Sequence, residues 1–185
     1  MDQIYTHPKR KTKVVFVQLG SPSEPTTKAL RKYLRKFLGD PRVIDINPWL
    51  WKIILNFFVL PFRPKKSAKL YARIWDGKSF PLITNTRDFT NNVREELKKI
   101  DPNGHVEVNH AFLLSPPYVN EVYDSWEDDL KKGIGATKLL VIPMFPQYSE
   151  STIASGIDAL AKELSKRVKI PTFEVITNFH RTHAF

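Results

Sequence analysis

Two groups of polar side chains in this sequence could bind an anionic ligand. The first follows a long apolar run and consists of Arg63, Lys65, Lys66 and Lys69. Their guanidinium and ammonium groups can bind carboxylates or anionic lipid head groups. The second is the loop at residues 146–152, PQYSEST, whose hydroxyl groups precede a predicted helix. This loop could bind a ligand, or it could simply cap that helix.

The apolar run at residues 49–62, here called the lip segment, would carry hydrophobic side chains on nearly every side of a helix. It is too short to span a bilayer, which takes about 20 residues. It could be a fully buried helix, a segment in a membrane interface, or the edge of a cleft for a large flat apolar ligand. The basic residues that follow, with Trp49 and Trp51 at one end, favour the last two alternatives.

Other patterns do not reveal catalytic machinery. Gly20-Ser21-Pro22 could bind an anion, but the sequence has no GxGxxG or GxxxxGK[ST] motif, so nucleotide binding is not supported. His180 and His183 could share a metal on a helix, but a third ligand is lacking nearby, and we predict no metal site. His110 falls in a predicted strand, and we interpret it as a hydrogen-bonded core residue.

Composition narrows the function classes. The 185 residues suffice for one domain with a substantial core. A net charge of +10 permits nucleic acid, an anionic membrane or a small anion as a partner. Because the sequence has no nucleic-acid-binding motif, we expect no nucleic-acid partner. The absence of cysteine excludes disulfides, thiolate zinc sites and iron–sulfur clusters. Without an apolar signal region or spanning segment, we expect a cytoplasmic protein, at most peripheral to a membrane.

Hydrophobic periodicity predicts alternating strands and helices. The predicted strands are residues 14–19, 105–114, 138–145 and 173–177. Between them lie helices, the first capped by Thr26 or Thr27, another at residues 86–100 after a loop, and a third ended by Gly133 and Gly135. We therefore predict an N-terminal tail at residues 1–13 and one α/β domain at 14–185, with a doubly wound, four-stranded parallel sheet. Ligands of such sheets bind beyond the carboxyl ends of the strands.

Three stretches make the chain similar to the N-terminal half of the ferrochelatases. They are VQLGSP with the following TTKALRKYLRKFLGDPRV, then RPKKSAKLYARIWDGKSFPL, and finally LLVIPMFPQYSESTIAS. The resemblance runs from Val14 over essentially the whole chain. It implies a flavodoxin-like chelatase domain that binds porphyrin against a second such domain. It also implies that the lip segment borders the porphyrin cleft and touches membrane.

The resemblance places several residues at the porphyrin. Arg63, Tyr71 and Ser79 fall on family positions that contact the porphyrin. The guanidinium group of Arg63 can donate two hydrogen bonds to a carboxylate, and Tyr71 offers an aromatic ring with a hydroxyl group. In this chain Phe80 separates Ser79 from Pro81, whereas the family usually has Ser-Pro together. The matching loop adds candidates for the pocket edge, which are Tyr148, Ser149, Ser151 and Thr152.

The family's reaction inserts Fe²⁺ into protoporphyrin IX to make haem, with both as substrates and no bound cofactor. The resemblance puts the metal-handling His and its acidic partner in a C-terminal half, so we expect no catalytic residues in this chain and no activity of it alone. Phe112-Leu113 replaces the family's Arg-Tyr pair, which leaves open a non-catalytic porphyrin- or haem-binding paralogue, or a structural module at a membrane interface. Without a partner half, the exposed lip segment could form a homodimer.

Overall fold

The computed structural model describes residues 11–131 and 136–182 and shows a parallel sheet with helices on both faces. The strands are β1 (Lys11–Gln18), β2 (Val106–Phe112), β3 (Ala136–Pro143) and β4 (Thr172–Val175). The helices are α1 (Thr27–Leu38), α2 (Pro48–Ile54), α3 (Arg63–Tyr71), α4 (Pro81–Ile100), α5 (Val119–Lys131) and α6 (Ser155–Leu164). Shorter turns are π-helical at Leu55–Val59 and Glu150–Ala154 and 3₁₀-helical at Ala72–Ile74. The predicted helix end at Gly133 and Gly135, and His183, lie outside the described residues.

The sheet has the order β2-β1-β3-β4, and all its neighbouring strands are parallel. In β1, Phe16 pairs with His110 of β2 on one side and with Ile142 of β3 on the other. The chain thus leaves β1 to one side and then crosses to its other side, which is the doubly wound arrangement. The predicted fold class is confirmed, although the strand ends differ by a few residues from those predicted.

The core has a layer on each face of the sheet. Helices α5 and α6 cover one face, where Trp126 and Leu160 pack against Val15 and Val141. Helix α4 covers the other face, where Val93 and Leu97 pack against the β1 and β2 side chains. Alternation along β1 therefore sends consecutive residues into opposite layers, as expected of a strand buried on both faces.

Helix α1 begins where the sequence predicts and connects the sheet to the lip segment. Thr26 caps it, since its Oγ1 accepts a hydrogen bond from the Ala29 N–H at 3.2 Å. Its inner face, which includes Tyr33 and Leu38, forms a separate cluster with Leu55 and Leu60 of the lip segment. The lip segment is thus attached to the domain through α1.

The lip segment has an inner and an outer side, so it is less uniform than its composition suggests. Trp51 points inward and its Nε1–H donates to the Leu38 carbonyl at 2.6 Å. The outer side is exposed and consists of Trp49, Leu50, Ile53, Phe57, Phe58 and Phe62. Phe57 is 70% exposed and Phe62 is 72% exposed, so the segment is not sealed inside the domain.

Two of the wrong predicted boundaries have a clear structural reason. Strand β1 begins at Lys11 instead of residue 14, because the fully buried Lys13 belongs to the sheet. Its Nζ donates to Ser125 Oγ at 3.0 Å and to Asp129 Oδ2 at 2.9 Å, partners more than 100 residues away. Helix α4 begins at Pro81 rather than at residue 86, because proline suits the first position of a helix, where no N–H partner is needed.

Candidate functional site

The loops after β1 and β2 enclose a cavity of about 360 Å³ at the carboxyl edge of the sheet. Its remaining walls come from α1 and from the segment that leads into α4. The lining includes Ser21, Pro22, Ser23, Ala29, Lys32, Tyr33, Lys36, Trp75, Lys78, Ser79, Phe80, Ile83, Leu114, Ser115, Pro116 and Tyr118. The volume lies within the usual range of small-molecule sites, which is about 300–1,000 Å³.

A close backbone contact holds two of these loops together. Gly20 has a φ of 93°, and a Cβ at this position would lie 2.4 Å from Ser115 Oγ. Ser115 Oγ accepts a hydrogen bond from the Ser21 N–H at 3.3 Å. Any side chain at residue 20 would therefore be strained and would displace the second loop.

Tyr71 belongs to an aromatic wall behind this cavity. Its ring lies 6.2 Å from the ring of Tyr33 and 5.5 Å from that of Phe80, measured between centroids. The Tyr33 hydroxyl donates to the Gly20 carbonyl at 3.3 Å. Burial raises the pKa of Tyr33 well above its usual range, and the neighbouring Tyr71 raises it further. At neutral pH Tyr33 is therefore a hydrogen-bond donor and not a base.

Ser79 lines the cavity, at the end of a short loop held by Asp76. The Asp76 Oδ1 accepts hydrogen bonds from the Lys78 N–H at 2.7 Å and from the Ser79 N–H at 2.6 Å. These N–H groups lower the pKa of Asp76 because they stabilise its carboxylate. Phe80, the residue that follows, is buried and also lines the cavity.

Arg63 lies elsewhere. It is the first residue of α3, directly after the exposed Phe62, and it does not line the cavity. Within the described part of the chain its guanidinium makes no hydrogen bond or ion pair. The structure thus places Ser79 at the cavity and Tyr71 behind its wall, and it leaves Arg63 beside the lip segment.

The loop after β3 forms a second hollow of about 390 Å³, which includes Tyr148, Ser149 and Thr152. Ser151 joins this group through its Oγ, which lies 3.1 Å from Ser149 Oγ. His180 supports the loop, because its backbone N–H donates to the Pro146 carbonyl at 3.1 Å. These residues lie together, but apart from the cavity that contains Ser79.

Two further positions bear on the predicted chemistry. Phe112, at the place of the family's Arg-Tyr pair, is fully buried, and Leu113 packs against the core under α5 and α6. His110 was expected to be hydrogen-bonded, and this was wrong, since its buried Nδ1 has no partner among the described residues. Burial lowers the pKa of His110, and the charges of Arg94 and Arg87 lower it further.

Sequence reasoning missed the three lysines of the cavity, which are Lys32, Lys36 and Lys78. Lys36 crosses to the loop before α5, where its Nζ lies 3.0 Å from the Tyr118 hydroxyl and 4.5 Å from the ring centroid. The sequence carries no local signal that selects these lysines, because lysine on a helix usually marks a solvated face.

The described residues contain no cluster of three or more His, Asp or Glu side chains that could hold a metal ion. Among the same residues, no helix is both long enough and apolar enough to cross a membrane.

Comparison with known proteins identifies the family. The ferrochelatase family model matches residues 11–185. The chain is 41% identical over 167 residues to the ferrochelatase of Idiomarina loihiensis, covering 90% of this chain and 44% of that protein. It is 40% identical to the ferrochelatase of Actinobacillus pleuropneumoniae serotype 5b, covering 90% of this chain and 50% of that protein. It is 37% identical to the coproporphyrin III ferrochelatase of Streptococcus mutans, covering 96% of this chain and 53% of that protein. The chain therefore spans about half the length of the curated relatives it matches, and it belongs to the ferrochelatase family.

Proposed function

We propose that this chain is the porphyrin-binding N-terminal half of a ferrochelatase, a lyase that inserts Fe²⁺ into protoporphyrin IX to make haem. Iron and porphyrin are then substrates, and no resident cofactor is needed. The observation that carries the proposal is the cavity at the carboxyl edge of the sheet, which combines aromatic walls with cationic side chains. A flat apolar macrocycle with carboxylate arms needs both kinds of surface.

The residues of the cavity suit binding better than proton transfer. Metal insertion requires a base that accepts the pyrrole protons as the iron enters. Tyr33 cannot serve at neutral pH, because its raised pKa keeps it protonated. His110 has a lowered pKa but does not line the cavity. We therefore propose that this chain binds and orients the macrocycle, and that it is inactive without the second half of the protein.

The lip segment gives this proposal a route for the substrate. Its outer aromatic side chains are exposed, and exposed basic side chains follow at the start of α3. An apolar surface bordered by cations suits the interface of an anionic bilayer. We propose that the lip segment contacts such a membrane peripherally and receives the porphyrin there.

Titration of protoporphyrin IX into the complete gene product, followed by its Soret absorbance, tests the proposal. We expect saturable binding, and its absence would refute a porphyrin-binding role. Arg63→Ala should weaken binding by up to about fivefold, since an exposed ion pair is worth up to about 1 kcal/mol. Arg73→Ala is the matched control, because Arg73 is also exposed and lies just after α3. Equal affinities of the two variants would remove Arg63 from the site.

A second candidate is a non-catalytic protein that binds porphyrin or haem. The buried Phe112 favours it, because this side chain cannot supply a polar group to a pocket. An assay of Fe²⁺ insertion by the complete gene product separates the two functions. Haem formation supports the lyase, whereas porphyrin binding without haem formation supports the second candidate.

A further inference from the structure

One face of helix α1 forms a wall of the cavity between the loops after β1 and β2. The residues on this face are Ala29, Lys32, Tyr33 and Lys36, which follow the helical spacing i, i+3, i+4, i+7. Two cationic side chains one turn apart therefore point toward the same space as the buried Tyr33. The remaining lysine, Lys78, lines the same cavity from the loop before α4.

The lining of the cavity carries three cationic side chains. None of the described residues that line it is acidic. Within residues 11–131 and 136–182, the ammonium groups of Lys32 and Lys78 make no hydrogen bond or ion pair, and Lys78 has only a longer-range electrostatic interaction with Asp76, which lies outside the lining. Lys36 has only the neutral Tyr118 as a partner. Clustered ammonium groups repel one another, and an anion placed between them relieves that repulsion.

Lys36 already contacts an aromatic residue of the cavity lining. Its Nζ lies 3.0 Å from the Tyr118 hydroxyl and above the Tyr118 ring, 4.5 Å from the centroid. A cation over an aromatic face loses part of its freedom but keeps donors for a further acceptor. The serine hydroxyls of Ser21, Ser23 and Ser79 line the same space and offer additional donors.

We infer that Lys32, Lys36 and Lys78 form a carboxylate-binding subsite, which takes a carboxylate-bearing edge of the flat ligand in this cavity. The aromatic walls of Trp75 and Tyr118 contact the apolar part of that edge. This inference rests on the proposed porphyrin function. It assigns to these lysines the recognition of the ligand's anionic groups, a role distinct from that of Arg63 beside the lip segment.

The test uses the complete gene product in detergent micelles with two probes, protoporphyrin IX and its dimethyl ester. The ester has the same macrocycle but no carboxylate. The test variant carries Lys32→Met, Lys36→Met and Lys78→Met together, because methionine keeps an apolar stem of similar length. The control variant is Lys28→Met, since Lys28 is exposed on α1 but does not line the cavity.

We expect the triple variant to bind the acid more weakly, by up to about fivefold for each exposed ammonium group lost. It should bind the ester as the unaltered protein does, and the control should bind both probes normally. Unchanged acid binding by the triple variant, equal loss for acid and ester, or an equal effect of Lys28→Met would each overturn the subsite. Those results would leave the porphyrin function standing. If the unaltered protein binds neither probe, the proposed function fails, and the subsite fails with it.

Discussion

The buried ion pair between Lys13 and Asp129 should make the two partners unequal in their importance for stability. The Lys13 side chain is fully buried, whereas the Asp129 side chain is 22% exposed. Asp129→Ala would leave a buried ammonium group without its nearest counter-ion. Lys13→Met would instead leave a carboxylate that water can reach. Removing the acid should therefore destabilise the chain more than removing the base.

The structure sets the expected magnitudes. Breaking a buried pair from one side costs about 3–5 kcal/mol. We expect about 3 kcal/mol for Asp129→Ala, since Glu107 Oε1 remains 3.5 Å from the Lys13 Nζ and compensates in part. Lys13→Met should cost about 1 kcal/mol, because its remaining partner is hydrated. For a chain of this size the larger change corresponds to a fall in Tm of about 6–12 °C.

Urea unfolding followed by tryptophan fluorescence measures both free energies of unfolding. Asp128→Ala is the matched control, because Asp128 pairs with Lys131 on the surface of α5, where the side chains are 59% and 72% exposed. That variant should lose less than about 1 kcal/mol. The double variant Lys13→Met/Asp129→Ala should be more stable than Asp129→Ala alone. The reasoning is refuted if Asp129→Ala matches the control, or if Lys13→Met is the more destabilising change.

Two further predictions concern the sheet and the lip segment. Because burial lowers the pKa of His110 in the folded state, the unfolded chain binds more protons below about pH 6.5, and stability should fall as pH drops through that range. Urea unfolding at about pH 8 and at about pH 5.5 measures this loss of unfolding free energy, and His110→Phe should make it smaller. An unchanged pH dependence in that variant would contradict the prediction. The double variant Phe57→Ser/Phe58→Ser should bind anionic vesicles about tenfold or more weakly in a sedimentation assay. The reason is that each phenylalanine side chain buried in the bilayer contributes about 1.5–3 kcal/mol. Ile100→Ser, exposed at the far end of α4, is the control, and an equal effect there would argue against a membrane role of the lip segment.

The parts of the fold that could be predicted depend on local signals. The apolar run around Val15 predicts a strand buried on both faces, and Thr26 predicts the start of α1, because both signals lie within a few residues of the element they define. The wrong start of β1 has a non-local cause. Lys13 is compatible with the sheet only because Ser125 and Asp129 meet it from α5, and no local pattern contains that information.

The candidate site was predictable to a lesser degree. Similarity to the family points to Arg63, Tyr71 and Ser79. The structure places Ser79 at the cavity, Tyr71 behind it against the rings of Tyr33 and Phe80, and Arg63 apart from both. The lysines of the cavity could not be selected from the sequence, because lysine on a helix usually marks a solvated face. Only the packing of α1 beside the loop that carries Tyr118 distinguishes Lys36 from its neighbours.

The π-helical turn in the lip segment determines which aromatic rings face outward. Its backbone bond from the Leu60 N–H to the Leu55 carbonyl, at 2.9 Å, spans one residue more than an α-helical bond does. This wider turn lets Leu55 and Leu60 both point into the domain while Phe57 and Phe58 stay outside. The extra residue of this turn thus rotates the side chains that follow it around the helix axis. Deleting a single residue there, such as Asn56, would restore the α-helical repeat. It would turn the exposed apolar side of the lip segment to a new direction without changing its apolar residues.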